Sequence, residues 1–78
     1  MNLYLISQSE NDGYDTYDSA VVAAETEDDA RLINPDGADW RSTWGAWCKT
    51  PDAVTVELIG RAKEGTTRGV ILASFNAG

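Results

Sequence analysis

Apolar residues occur in this chain as short bursts, and that spacing constrains the fold more than any other feature. The longest unbroken burst runs only from Ala20 to Ala24, far short of the ~20 apolar residues that a membrane-spanning helix needs. Each burst reads as a strand. Leu3-Tyr4-Leu5-Ile6-Ser7 is rich in β-favouring residues and is followed by turn chemistry from Ser9 to Gly13, which predicts a first strand ending near Gln8. Ser19-Ala20-Val21-Val22-Ala23-Ala24 is tilted towards a second strand by its two β-branched valines. Val54 to Ile59 alternates apolar and polar until its last pair, as a half-buried third strand does. A polar turn region from Gly60 to Arg68 then precedes a fourth strand, Gly69-Val70-Ile71-Leu72-Ala73-Ser74-Phe75.

Between the second and third strands the pattern changes. Thr26 offers a hydroxyl as a helix N-cap, with Glu27, Asp28 and Asp29 in the first turn where negative charge meets the positive end of the helix dipole. Asp29 stands where a capping box has Glu. Ala30, Ile33 and Leu32 supply a brief inner face, and Asn34-Pro35-Asp36-Gly37 stops the helix after about two turns. The next stretch holds Trp40, Trp44 and Trp47 at i, i+4 and i+7, the spacing of one helical face, although Gly45 lies within it. A helical turn or compact loop is expected there. With 78 residues there is room for a single domain. The expected fold class is α+β: a four-stranded, mainly antiparallel sheet in the order β-β-α-loop-β-β. One short helix and the Trp-rich segment would pack on one of its faces.

Charge is distributed unevenly. The chain carries a net charge of -7, yet residues 1–30 alone hold eight acids and no Lys or Arg. The remaining residues are close to neutral, so the acidity belongs to the first two-fifths of the chain, and such asymmetry bears on partners. Direct nucleic-acid binding is disfavoured, because it needs Lys and Arg to displace counterions from phosphates. A basic protein surface suits better. Asp12, Asp15 and Asp18 interleave with Tyr14 and Tyr17 in the loop after the first strand, a mixture in which carboxylates pair with a partner's cations while Tyr adds contact area. Glu25, Glu27, Asp28 and Asp29 extend the acidic set, and Trp44 is the tryptophan assigned to a partner. The plainer alternatives are that the acids keep a small protein soluble, that the tyrosines pin the loop to the sheet, and that the tryptophans cover it.

Catalytic and metal chemistry find little support in these residues. There is no histidine, which removes the usual neutral-pH base, the Ser-His and Cys-His nucleophile pairs and most transition-metal sites. The three loop aspartates lack the Asp-x-Asp-x-Asp-Gly spacing of a calcium loop. The single cysteine, Cys48, forms no internal bridge, agrees with a reducing compartment and reads as a buried, inert thiol. No enzyme activity, cofactor or metal is expected. The start, Met1-Asn2-Leu3, lacks the basic region of a signal peptide, which predicts a cytoplasmic location.

The runs Leu3 to Gln8, Gly13 to Ala24 and Gly69 to Gly78 resemble a group of small, uncharacterised proteins encoded by bacteriophages and prophages. That resemblance implies a viral protein acting in the cytoplasm of a bacterial host. It brings to mind inhibitors of host defence, including anti-CRISPR and anti-restriction proteins, without singling out one family. The leading expectation is a non-catalytic inhibitor that binds a basic, nucleic-acid-binding host protein of a CRISPR or restriction complex. One alternative is a homo-oligomer that sequesters a nucleotide signal, with Trp40 or Trp44 stacked on the base. Another is a structural or assembly subunit that associates through its sheet edges and Trp segment.

Overall fold

The computed structural model of the chain describes residues 1–11, 15–37 and 47–76. Strands β1 (Asn2–Ser7), β2 (Thr16–Ala24), β3 (Thr55–Arg61) and β4 (Gly69–Asn76) form a single sheet in the order β3-β1-β2-β4. Every pairing in it is antiparallel. The first strand of the chain is therefore interior, and the two latest strands form the edges. Two strands are longer than their apolar bursts because pairing extends them. Thr16 and Tyr17 join β2 by facing Asn76 and Phe75, and Arg61 joins β3 by facing Asn2.

Residues directly opposite in antiparallel strands share a face, so the register defines the two sides of the sheet. Tyr4 and Ile6 of β1 lie beside Val22 and Ala20 of β2, and these four enter one buried cluster with Ala24, Ala30, Ile33, Trp47, Cys48 and Val54. Small and large side chains alternate in it, the alanines leaving room for Tyr4, Ile6 and Trp47. Helix α1 (Glu27–Arg31) lies on this inner face in contact with β1, β2 and β3. Its N-cap is the predicted one: the Thr26 hydroxyl accepts the Asp29 amide at 3.1 Å.

Helix contributes less than the α+β expectation held. α1 spans five residues, and the only other helical piece among the described residues is a 3-10 turn at Pro51–Ala53. The domain is mainly β. The last turn tightens: the Leu32 and Ile33 amides bond to the carbonyls three residues back, Asp29 and Ala30, so α-helical pairing ends at Arg31, ahead of Asn34-Pro35. The chain instead turns, with the Asp36 amide on the Asn34 side chain and the Gly37 amide on the Asn34 carbonyl. Gly37 takes a φ of 73°, which glycine adopts at no steric cost. The helical spacing of Trp40, Trp44 and Gly45 falls in 38–46, outside the described residues.

The link between β3 and β4 crosses the ends of β1 and β2, three strand spacings or about 14 Å. It is anchored at both ends. The Ala62 amide donates to the Met1 carbonyl at 3.0 Å, and Arg68 Nε donates to both carboxylate oxygens of Asp29 at 2.8 and 2.9 Å. Between these anchors, Lys63 to Thr66 forms a turn whose third residue, Gly65, has the φ of 88° that a type II turn requires. Among the described residues no helix is long and apolar enough to cross a membrane.

Candidate functional site

β1 reads Leu3-Tyr4-Leu5-Ile6, β2 reads Ala20-Val21-Val22-Ala23, and β4 reads Val70-Ile71-Leu72-Ala73. Each is apolar at both parities, the pattern of strands covered on two faces. Among the described residues, helix α1 and the buried cluster cover only one face. Leu5 pairs with Val21, and Val21 pairs with Leu72, so these three side chains share the outer face, and none belongs to the buried cluster. Leu72 is 70% exposed. Together with Ser19 and Ser74 they line a shallow groove of about 180 Å³. That is below the ~300–1,000 Å³ of small-molecule sites. Its size and apolar walls suit a single side chain from another molecule.

The two sheet edges differ in chemistry. β3 carries Glu57 and Arg61, and Ile59 is an extra residue that interrupts its pairing with β1. Charges and bulges of this kind protect a sheet edge against further pairing. β4 carries no charged residue and no proline from Gly69 to Asn76. It has one extra residue, Ile71, between the positions that pair with Val21 and Val22, and from Leu72 onward its backbone runs without insertion. No described strand pairs with its outer side. Val70, Ile71 and Phe75 are exposed along it, as is Leu72.

Acids bracket this apolar surface. Asp15 and Asp18 are exposed at the start of β2, and Glu25, Glu27 and Asp28 are exposed just past its end. Asp15 holds a φ of 60°, a left-handed conformation that aspartate tolerates better than most residues. Asp18 is the extra residue between Tyr17 and Ser19 in the pairing with β4, so it interrupts the ladder there. With about 3.3 Å of rise per residue, the two acidic groups stand some 20 Å apart. The acids grouped by sequence thus occupy two ends of the sheet.

No family model, curated protein or solved structure matches this chain.

The remaining sequence-derived site residues have mixed positions. Tyr17 is half-buried against the core and stacks edge-on with Phe75, ring centroids 4.8 Å apart. Asp29 is engaged by Arg68, and Glu27 lies 3.7 Å from Arg31. Asp12, Tyr14 and Trp44 lie outside the described residues. Of the three tryptophans, Trp47 is placed in the core. Among the described residues no group of His, Cys, Asp and Glu is arranged to hold a metal ion. The Cys48 thiol is buried and donates to the Thr50 carbonyl at 3.4 Å. Burial, and then the Glu10 carboxylate, push its pKa up, which suppresses the reactive thiolate.

Charge and aromatic placement alone pointed away from Leu5, Val21 and Leu72. Their signal was present as apolar residues at both parities of three strands. Reading it requires the strand register, which puts these three residues on the face opposite the buried cluster of the described residues.

Proposed function

We propose that this chain is a non-catalytic inhibitor that acts by binding another protein, with a basic, nucleic-acid-binding component of a bacterial defence complex as its target. The observation that supports this is the apolar outer face of Leu5, Val21 and the exposed Leu72, which lies outside the buried cluster of the described residues and is bracketed by exposed acids at both ends of β2. Apolar contact supplies the anchor. The acids steer a cationic partner and select against an acidic one. A second copy of a chain with net charge -7 is repelled by the same field.

The test is capture from bacterial lysate, identification of the bound protein, and titration of that purified protein against the wild-type chain and two variants. Leu72→Glu should weaken binding by at least about tenfold, the loss of one desolvated apolar anchor. The double variant Asp15→Asn, Asp18→Asn should slow association and flatten its salt dependence, since exposed charges are screened over about 8–10 Å near physiological ionic strength. Affinity that is indifferent to Leu72→Glu and to salt removes this surface from the mechanism.

A further inference from the structure

Resting on that reading of the chain as a binding protein, we propose that the partner contributes an extended segment that adds to β4 as a fifth strand. This segment alternates apolar and polar residues and carries Lys or Arg at the end lying beside Asp15 and Asp18. Three observations converge on β4. Its outer side is unpaired among the described strands, it lacks the charges that guard β3, and from Leu72 to Asn76 it continues beyond its one extra residue. An added strand gains main-chain hydrogen bonds along this edge, and its alternate side chains reach the outer face, where the groove beside Leu72 receives one of them.

Charge sets the occupant. Asp18 interrupts β2 opposite the Ser74–Phe75 step of β4, and Asp15 lies just before Thr16, which faces Asn76. A fifth strand lies two strand spacings from β2, about 10 Å, a gap that a Lys or Arg side chain largely bridges.

A second copy of the chain fits this edge poorly. Edge-to-edge pairing would bring two net charges of -7 together.

The probe is a synthetic peptide alternating valine and threonine with a run of lysines at one end, titrated into the isotope-labelled full chain and followed by NMR. Strand addition predicts contacts between peptide α-protons and the backbone of Leu72–Asn76, with the lysine end beside Asp15 and Asp18. It also predicts about tenfold weaker binding when the peptide amides on one edge are methylated, and little change when those on the other edge are. Equal loss from methylating either edge, or contacts confined to β3, overturns the proposal. So does a dimer formed through β4 in the free protein. If the captured partner protein binds through Leu72 while β4 amides stay untouched, strand addition fails and the binding function stands; if the peptide adds to β4 but no basic protein is captured, the reverse holds.

Discussion

At the residue scale Gln8 is a polar side chain that ties several segments together. It is buried, and its amide is engaged on both atoms: Nε2 donates to the carbonyls of Asn11 and Tyr17 at 2.7 and 2.9 Å, and Oε1 accepts the Asn11 amide at 2.8 Å. Asn11 in turn donates to the Trp47 carbonyl at 3.2 Å, so one glutamine joins the end of β1, the start of β2 and the chain before β3. Replacing Gln8 by Ala removes its side-chain hydrogen bonds to three part-buried backbone groups and should destabilise by about 1–3 kcal/mol, measured by urea unfolding. Thr26→Ala removes the helix cap and should cost about 1 kcal/mol. Cys48 gives a pH prediction whose sign follows from its raised pKa. The unfolded thiol ionises first, so stability held below the ordinary thiol value of about 8.5 is lost as pH climbs towards the folded value. Unfolding free energy should therefore fall above that pH, and Cys48→Ala should flatten the slope.

Elements were legible where a local signal coincided with a tertiary one. The Thr26 cap and the four apolar bursts each have a short-range cause, and each appears where that cause lies; the helix ends at Arg31, three residues ahead of Asn34. Strand lengths were less legible, because Thr16 and Tyr17 become strand only through Asn76 and Phe75, about sixty positions away. The acidic site was legible in composition alone. Sequence proximity grouped Asp15 and Asp18 with Glu25, Glu27 and Asp28, and the rise along β2 separates them. Asp29 was assigned to the helix cap and to a partner, and nothing local foretold its pairing with Arg68 across the β3–β4 link. Both members of that pair retain solvent contact, so Arg68→Ala should lower stability by no more than about 1 kcal/mol. Chemical unfolding of that variant checks it.

For the whole molecule, the described residues pack one sheet face and leave Leu72 exposed on the other, so a net charge of -7 should oppose self-association. As pH approaches the isoelectric point of about 4.2 the carboxylates protonate and that repulsion fades. Light scattering should therefore rise steeply near that pH. Leu72→Glu should reduce the rise, while unfolding at neutral pH stays within about 0.5 kcal/mol of wild type, because the side chain is largely exposed.

The placement of β1 between β2 and β3 has a kinetic meaning of its own. Its amide hydrogens are locked by neighbours on either flank, so freeing them requires dismantling the sheet from the outside inward. Deuterium should enter at the margins first and reach Tyr4 and Ile6 only through global opening, which makes those two positions reporters of the total folding free energy.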